Sequence, residues 1–464
     1  MSKLGLVLRT TIHLKPIQLW FQVWRRIQKK FDPHPKCGLD ELPEFTFLNT
    51  TAKPKGWNDK SLELLWRYNL HYFDYVNGRV EVEKGRRLLE RWIDDNPRGS
   101  FPGWDPYPTS LRIVNWIKWL KNNHVEQVEH VEESLREQAE WLRCHLEYHL
   151  MANHLLANAK ALVFAGKYFD RKDWYGKGMA IYRKQLPEQT CCDGVNFERS
   201  PMYHAIIFED MLDLAEYTGE MLFKEYAAKM ASGMRLLTGP GGKIAKFNDS
   251  TEGIAKQPAE LLARVEQLNL RSPTSTLNFN SGSGFRRKES GEYVLLAKTG
   301  DIGPSYQPGH AHADTYSFEL WKNGKKVIGD TGCSTYIPGK VRSYERGTMA
   351  HNTVVIDGQN SSEVWASHRV GRRFDRKRHR REFELTESGL KGVDYLNGNG
   401  EHEVEVRFHL PPGVAKSDIA IDCPGEVSWE TCDFAEGWNL RKPGLCAVFR
   451  QKLKFPCKIE WSIK

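Results

Sequence analysis

The spacing of apolar residues changes once along this chain, and that change constrains the fold more than any other feature. Over residues 60–275, apolar side chains recur every three to four positions, as at Leu111, Val114 and Ile117. This is the period of amphipathic helices, and turn residues punctuate it at short intervals. Beyond that range the period becomes two, as at 293–296, with Gly, Pro and Asn between short apolar runs. The pattern predicts an all-α domain of eight or more helices followed by an antiparallel β-sandwich.

The chain has 464 residues, a length that suits two or three domains. We predict an amphipathic helix and an extended segment over 1–59, a helical domain over 60–275 and a β-sandwich domain over 276–464. The stretch Ser272–Ser283, rich in serine and asparagine, is the expected seam between the last two domains. The predicted fold class is therefore multidomain α+β.

The composition excludes several classes of protein. Charged residues make up 27% and hydrophobic residues 40% of the chain, which is a globular balance rather than a disordered one. The sequence contains no apolar run of the roughly 18 residues that a membrane-spanning helix needs. Nine cysteines, an odd number without a CxxC pair, argue against a disulfide framework or a cysteine zinc site. They favour reduced thiols and a reducing compartment.

The net charge is +8, and the positive charge is concentrated in two segments. Residues 1–31 contain seven Lys or Arg and no acid, and residues 369–381 contain eight against the single Asp375. A run of this kind is typical of a solvated loop, and it also suits a docking surface for a polyanion. Nucleic acid would fit the charge equally well, but no nucleic-acid-binding module accompanies it, so we expect no nucleic-acid partner.

The amino-terminal part of the chain predicts an amphipathic helix. Ile17, Trp20, Phe21, Trp24 and Ile27 fall on one helical face. The favoured interpretation packs this face on the body of the protein, and the alternative lays it on a membrane surface as a peripheral contact. The apolar run before it is shorter than a signal-peptide core, and no export signal is visible. We therefore expect a cytoplasmic or membrane-peripheral location.

Two segments of the helical part combine amide, imidazole and phenol groups. Asn153 and His154 lie among apolar positions, where a helix with two hydrogen-bonded polar residues is the plainer interpretation. In the second segment, Pro201 suits the first turn of a helix, which places Tyr203 and His204 in its opening turns. A side chain that lines a cleft is easily presented there, although a buried tyrosine with a satisfied hydroxyl is the plainer alternative.

A third cluster lies in the strand part and has the composition of a metal site. His310 and His312 are separated by one residue and are followed by Asp314, Asp330 and His351. Imidazole and carboxylate groups are zinc ligands, but the spacing is not that of a zinc finger. The residues alone leave both metal binding and a chance grouping open.

Several separated motifs together resemble one family. GHAHADTYSFEL, the glycine-flanked Asp330 and RGTMAHNTVVIDG resemble the heparinase II/III family of polysaccharide lyases. ANHLLANAKAL and FERSPMYHA are similar to that family's Asn-His and tyrosine-containing motifs. The resemblance implies an incomplete (α/α) toroid followed by an antiparallel β-sandwich. It also implies β-elimination at a uronic-acid linkage of an acidic polysaccharide, as in bacterial exopolysaccharide or capsule metabolism.

The chemistry of that reaction explains the residue types. A proton next to a carboxylate is too weakly acidic to leave until the carboxylate charge is neutralised. The resemblance assigns this neutralisation to Asn153 and His154. It assigns Tyr203 as the acid for the departing oxygen and as a candidate base. It gives His310 a share in neutralising the acid group or in taking the proton.

The resemblance also implies a zinc ion. His312, Asp330 and His351 are carried over as its ligands, with Asp314 as an outer hydrogen-bond partner. The ion is expected to be mainly structural and to support the cleft rather than activate water.

Further substrate contacts are predicted from side-chain chemistry. Aromatic residues at helix starts can stack on sugar rings and charged residues can bind acidic groups, although core packing fits each aromatic equally well. The predicted substrate-binding residues are Tyr107, Arg112, Glu198, His204, Tyr336, Arg342 and Arg346. The position of a second catalytic tyrosine is open between Tyr336 and Tyr344.

Several functions fit these residues. The leading prediction is a lyase acting on an acidic polysaccharide. A uronyl epimerase would abstract the same proton and reprotonate the other face of the sugar. A non-catalytic polysaccharide-binding or assembly protein would keep the cleft, and the basic amino terminus favours it. A zinc hydrolase fits less well, because it needs an open metal position with a base beside it.

Overall fold

A computed structural model of the chain describes residues 3–31, 42–78, 80–125, 128–270 and 282–464. Within these residues helices dominate first and strands follow, as the two apolar periods predict. The α-helices are α1 (Lys3–Thr11), α2 (Pro16–Phe31), α3 (Leu64–Tyr72), α4 (Val82–Asp95), α5 (Pro106–Asn123), α6 (Glu129–Cys144), α7 (Ala152–Tyr168), α8 (Lys172–Gln189), α9 (Pro201–Thr218), α10 (Met221–Leu237), α11 (Pro258–Gln267) and α12 (Lys340–Glu345).

A short hairpin precedes the main run of helices, and the other described strands lie in the carboxyl-terminal part. The β-strands are β1 (Phe45–Phe47), β2 (Thr50–Ala52), β3 (Phe285–Ser290), β4 (Tyr293–Lys298), β5 (Phe318–Lys322), β6 (Lys325–Ile328), β7 (Val354–Ile356), β8 (Val364–Trp365), β9 (Arg369–Val370), β10 (His379–Thr386), β11 (Gly389–Leu410), β12 (Ile421–Asp422), β13 (Glu426–Gly437) and β14 (Leu440–Ile463). The strand predicted at 293–296 lies within β4.

The chain forms two compact units. The first, called the helical unit, comprises Lys15–Glu188 and Asp213–Leu222. The second, called the mixed unit, comprises Met1–Leu14, Gln189–Leu212 and Phe223–Lys464. Helices α10 and α11 therefore belong to the same unit as the sheets. The predicted seam at Ser272–Ser283 lies mostly outside the described residues.

The interior of the helical unit is built around α7. Its sequence is apolar on every face, and fourteen of its seventeen residues are buried. A helix of this kind must lie inside a domain. Its buried Lys160 donates to Asp213 at 2.6 Å, so the ammonium is paired with a carboxylate. Aromatic side chains fill the rest of this core, as where Trp92 packs edge-on against Trp116 at 5.5 Å between ring centroids.

The mixed unit contains two large antiparallel sheets that share one core, and β8 and β9 pair separately as a small antiparallel sheet. One sheet has the order β3-β4-β5-β6, and the other follows β10-β11-β14-β12, with β13 paired to β14 and β7 paired to β11. Side chains from both sheets meet where Phe318 stacks on Trp461 at 5.5 Å and Phe408 packs against both rings. This is the β-sandwich that the period of two predicts.

The amino-terminal helix forms as α2, but the predicted packing of its apolar face on the protein is wrong except at Phe21, which packs against Tyr148. Trp20, Trp24 and Ile27 are exposed, whereas Gln18 and Arg25 are buried. Polar partners inside the helical unit set the orientation of this helix, and the apolar side is left outward. Among the helices of the described residues, none has both the length and the hydropathy to cross a membrane.

Candidate active site

Tyr203 lies in the first turn of α9, where its ring stacks on the imidazole of His310. Pro201 begins α9, and the Ser200 hydroxyl accepts a hydrogen bond from the Tyr203 N–H at 3.2 Å. The ring centroids of Tyr203 and His310 are 3.7 Å apart, with 24° between the ring planes. The Tyr203 hydroxyl is 3.1 Å from the hydroxyl of Tyr336. Two phenols and an imidazole therefore meet at one point of the mixed unit.

A buried carboxylate, Asp249, holds the imidazole of His310. Nδ1 of His310 donates to it at 2.9 Å, and Nε2 of His312 donates to it at 2.8 Å. The guanidinium of Arg342 binds both of its oxygens. Burial alone would raise the pKa of Asp249, but the Arg342 charge and the two imidazole hydrogen bonds hold that pKa well below its ordinary value. Asp249 therefore stays ionised and can accept hydrogen bonds from both imidazole groups.

The other nitrogen of His310 faces a second carboxylate. Its Nε2 lies 3.5 Å from Oε2 of Glu198, which is also buried. The imidazole of His310 therefore lies between two carboxyl groups. The exposed His368 packs edge-on against Tyr336, with 4.8 Å between ring centroids. The cluster thus offers a phenol that can exchange a proton beside an imidazole that can carry positive charge.

A similar arrangement occurs in the helical unit at the start of α7. Nδ1 of His154 lies 3.1 Å from Oε1 of the buried Glu147, and the ring of Tyr107 is 4.6 Å from that imidazole. The Asn158 amide donates to the other carboxylate oxygen at 3.0 Å. Burial acts to raise the pKa of Glu147, but the charge and hydrogen bond of His154 outweigh it and leave that pKa below its ordinary value. Asn153, the residue before His154, is buried.

The backbone before Asn153 adopts a conformation that residues other than glycine avoid. The angle φ is 60° at Met151 and 48° at Ala152. Each such residue costs about 1–3 kcal/mol and persists where the surrounding structure fixes it. The Met151 N–H donates to the carbonyl of Glu147 at 2.8 Å, so the turn is tied to the residue that holds His154. Strain of this kind clusters at functional sites.

Asp314, Asp330 and His351 form a buried group whose candidate ligand atoms lie within 4.8 Å of one another. Nδ1 of His351 donates to Asp330 at 2.9 Å, while its Nε2 has no hydrogen-bond partner within the described part of the chain. Among the described residues, Oδ2 of Asp314 and Nδ1 of the neighbouring His312 are also buried without a partner. Lys298 balances the other oxygen of Asp314. Orphaned imidazole and carboxylate atoms are costly to bury unless a cation binds them, so this donor set fits a divalent metal.

A second group of potential ligands comprises Asp249, His310 and His368, whose atoms also lie within 4.8 Å of one another. Both oxygens of Asp249 already accept hydrogen bonds from Arg342 and from imidazole groups. A metal ion there would displace contacts that the protein already makes. The group around Asp314 is therefore the better candidate for a metal centre.

Comparison with known families agrees with this geometry. The sequence matches the family described as "Heparinase II/III N-terminus" over residues 104–256. It matches the family described as "Heparinase II/III-like, C-terminal" over residues 273–378. The two matches together cover more than half of the chain. The chain belongs to the heparinase II/III family.

Curated relatives within the heparinase II/III family are named heparin-sulfate lyases. One from Bacteroides thetaiotaomicron is 26% identical over 75% of this chain and 59% of its own length. Another, from Bacteroides stercoris, is 22% identical over 68% of this chain and 55% of its own length. The chain therefore spans less than two thirds of the length of these relatives.

Two solved structures share the fold of this heparinase II/III family member. Heparinase III has a TM-score of 0.65 and 19% identity, covering 86% of this chain and 76% of that one. A heparan sulfate lyase from Pedobacter heparinus has a TM-score of 0.58 and 18% identity, covering 88% of this chain and 77% of that one. The predicted fold class, an incomplete (α/α) toroid followed by an antiparallel β-sandwich, is confirmed.

Four of the predicted substrate residues lie at the two clusters. Tyr336 and Glu198 contact the Tyr203 and His310 pair, Arg342 binds Asp249, and Tyr107 packs on His154, as described above. The structure brings Tyr336, rather than Tyr344, to Tyr203. Tyr344 lies near Cys432, in a different part of the mixed unit.

The other predicted substrate residues are buried among protein partners. Arg112 donates to the carbonyl of Gly103 at 2.7 Å and to the side chain of Gln138 at 2.9 Å. Both ring nitrogens of His204 are used inside the protein, and burial lowers the pKa of its imidazole to about 4. Arg346 donates to the carbonyl groups of four different residues, the first of them Ala311. These contacts suit residues that position the backbone.

Sequence reasoning missed the two carboxylates that hold the imidazoles. Asp249 lies in the polar run Asn248–Thr251, where neither a period nor a flanking glycine marks it. Glu147 lies in a histidine-rich segment, seven residues before His154. No local sequence signal marks either acid, because each gains its role from burial against an imidazole.

Proposed function

We propose that this protein is a polysaccharide lyase that cleaves an acidic, uronic-acid-containing polysaccharide by β-elimination. The observation that carries the proposal is the stacking of Tyr203 on His310, with the phenol oxygen beside that of Tyr336. The names of the curated relatives, heparin-sulfate lyases, support the same class of reaction.

In the proposed reaction Tyr203 acts twice. Its phenolate takes the proton from the carbon beside the uronic carboxylate, and a C=C bond forms as the C–O bond to the departing sugar breaks. The phenol then returns this proton to the departing oxygen, so no other proton source is needed. The His310 ring stacks on Tyr203, and an imidazolium at this place would favour the phenolate, because a nearby cation lowers the cost of the negative charge.

Tyr336 stabilises that phenolate. Burial, and then the negative charge of Asp249, raise the pKa of Tyr336 well above its ordinary value. Tyr336 therefore keeps its proton and remains a hydrogen-bond donor. Its hydroxyl can donate to the Tyr203 oxygen across the observed 3.1 Å.

The uronic carboxylate needs its own donors, and we assign this role to Asn153 and His154, as the family resemblance implies. An amide N–H and an imidazolium N–H can share hydrogen bonds with the carboxylate as it becomes enolate-like. The ionised Glu147 against Nδ1 supports a positive charge on His154. The strained turn at Met151 fixes the backbone from which both residues project.

The experiment follows the ultraviolet absorbance of unsaturated uronates while the protein is incubated with a panel of acidic polysaccharides. The panel contains glycosaminoglycans, with and without sulfate, and bacterial exopolysaccharides that contain uronic acids. We expect a rise with at least one polymer and none with Tyr203→Phe. No rise with any polymer contradicts the proposal, and deuterium uptake from solvent without chain shortening would identify a uronyl epimerase.

We propose zinc as the metal held by the group around Asp314. Imidazole and carboxylate ligands in a buried setting suit zinc, with Asp330, His351 and the adjacent His312 as the other residues that would hold it. When bound, the ion would supply a structural cross-link between the segments that carry these residues. His312 also contacts Asp249, so this link would steady the carboxylate that holds His310.

Metal analysis and thermal unfolding test the zinc proposal together. We expect about one zinc ion per chain and a lower Tm after chelation, since a metal bound by the folded state alone stabilises it. His351→Ala should lose the metal, whereas Tyr203→Phe should retain it. A protein purified in zinc-containing medium without bound metal, and with a Tm that chelation leaves unchanged, contradicts the proposal.

A further inference from the structure

Helix α2 presents an apolar face to solvent. Trp20 is 66% exposed and Val23 is 55% exposed, and Ile17, Trp24 and Ile27 on the same side of the helix are exposed as well. We call these five residues the apolar face of α2. Contiguous exposed apolar side chains of this size mark an interaction surface, because water is a poor environment for them.

The opposite side of α2 is polar and is held within the helical unit. Gln18 and Arg25 are buried, and the Arg25 guanidinium lies 3.5 Å from the carboxylate of Asp105. At the edge between the two sides the ring of Phe21 packs against Tyr148, with 4.9 Å between centroids. These contacts fix the rotation of the helix about its axis. The apolar face therefore points outward as a consequence of specific contacts on the other side.

Helix α1, which belongs to the mixed unit, also exposes its apolar side chains to solvent. Leu4 is 70% exposed, and Val7 and Leu8 are exposed beside it. The polar residue Arg9 instead holds the helix to its unit through an ion pair with Glu363 at 2.6 Å. Two helices on separate units thus both turn polar side chains inward and apolar side chains outward.

The same amino-terminal segment is strongly basic. Residues 1–31 contain seven Lys or Arg and no Asp or Glu, and Arg26 and Lys29 of α2 are exposed. Among the described residues, ten of the nineteen exposed large apolar side chains lie in this segment. A helix that combines exposed tryptophan and isoleucine with cations and no acids is typical of one that lies in the interface of an anionic membrane.

A second copy of the chain is a poorer occupant of this face. Two copies that met through it would bring the exposed Arg26 and Lys29 of each copy together, with no acid in the segment to neutralise them. Anionic lipid headgroups supply the missing negative charge, and the acyl boundary accepts the apolar side chains. We propose that the apolar face of α2 docks on the surface of an anionic lipid bilayer. This contact is independent of the lyase activity and would hold the protein at a membrane.

Co-sedimentation of the full chain with lipid vesicles tests the proposal. The vesicles contain either phosphatidylcholine alone or phosphatidylcholine with phosphatidylglycerol. We expect the protein to pellet with the anionic vesicles, and the bound fraction to fall as salt rises. Trp20→Glu/Trp24→Glu should weaken this binding by about tenfold or more, because both side chains leave the apolar face. Arg26→Glu/Lys29→Glu should remove the salt dependence.

The matched control is Met221→Glu/Val427→Glu, which places two acids at exposed apolar positions on other elements. It should bind vesicles like the wild type, and circular dichroism should show every variant folded. Equal binding by the wild type and Trp20→Glu/Trp24→Glu would overturn the proposal, as would failure of the wild type to bind either vesicle. A concentration-dependent dimer that Trp20→Glu/Trp24→Glu abolishes, without vesicle binding, would assign the face to a second copy instead.

Discussion

The two polar clusters share one arrangement, in which an imidazole lies between a tyrosine ring and a buried carboxylate. They differ in the group that balances the negative charge of the carboxylate. In the mixed unit, Nδ1 of His310 donates to Asp249, and in the helical unit, Nδ1 of His154 lies against Glu147. In both, a tyrosine ring packs on the imidazole and the carboxylate is buried. Asp249 is also bound by the guanidinium of Arg342, whereas the second oxygen of Glu147 accepts a hydrogen bond from a neutral amide.

The difference suggests why the two imidazoles suit different tasks. Arg342 supplies a permanent counter-charge to Asp249, so the ionisation of that carboxylate does not depend on His310 alone. Glu147 draws its compensation from His154, so ionisation of one favours protonation of the other. A fixed cation that neutralises a substrate carboxylate therefore suits His154, whereas His310 suits a place beside the phenol that exchanges the proton.

The largest effect should come from removing the Tyr203 hydroxyl. Tyr203→Phe keeps the ring on His310 but removes the proposed base and acid, so kcat should fall by about 10²- to 10⁴-fold. Tyr107→Phe is the matched change in the other cluster and should lower kcat by less than about tenfold. Initial rates of uronate absorbance measure both. Equal losses would mean that the phenol of the mixed unit has no special part in the reaction.

Replacing the two carboxylates should lower the free energy of unfolding by different amounts. Asp249→Asn leaves the buried Arg342 guanidinium without its counter-charge, which should lower the free energy of unfolding by about 3–5 kcal/mol. Glu147→Gln leaves an imidazole that can become neutral, and the loss should be nearer about 1–3 kcal/mol. Urea denaturation gives both values. A larger loss for Glu147→Gln would show that Arg342 does not account for the difference.

A smaller effect is expected at the second phenol. Tyr336→Phe removes one hydrogen bond to the Tyr203 phenolate, so kcat should fall by about tenfold and its rise with pH should move to higher pH. Tyr344→Phe changes a tyrosine away from this cluster and should leave both unchanged. An unshifted pH profile in Tyr336→Phe would remove Tyr336 from the proposed mechanism.

The smallest effect concerns the change in the free energy of unfolding at acidic pH. The folded-state pKa of Glu147 lies below its ordinary value, so its ionisation stabilises the fold at pH values above the unfolded pKa of about 4.3. That contribution is lost as the pH falls through the folded-state pKa. The difference in unfolding free energy between the wild type and Glu147→Gln should therefore be constant from about pH 7 to about pH 5 and shrink below about pH 4. A difference that grows below about pH 4 would mean that folding raises the pKa of Glu147 instead of lowering it.

The fold could be predicted from the local sequence pattern, because along most of the chain the spacing of apolar residues matches the faces that the structure buries. A helix that is apolar on every side, such as α7, has to be central, and alternating strands such as β11 have to cover a core. The pairing of Tyr203 with His310 came from the family resemblance, since residues so far apart in sequence carry no local signal of contact.

The carboxylate partners and the orientation of α2 could not be predicted for a physical reason. Asp249 and Glu147 gain their roles from burial against imidazoles, which tertiary packing decides. An amphipathic pattern shows that α2 has an apolar face but not which way that face points. Polar contacts such as Arg25 with Asp105 decide the direction.

The left-handed backbone at Ala152 bears on any attempt to make this protein more heat-resistant. Glycine accepts a φ of 48° without steric cost, so Ala152→Gly would relieve strain in the folded chain. The same change would give the turn new freedom just ahead of Asn153 and His154. Selection for thermal resistance alone would favour a looser turn here, whereas selection for turnover would retain the strained alanine.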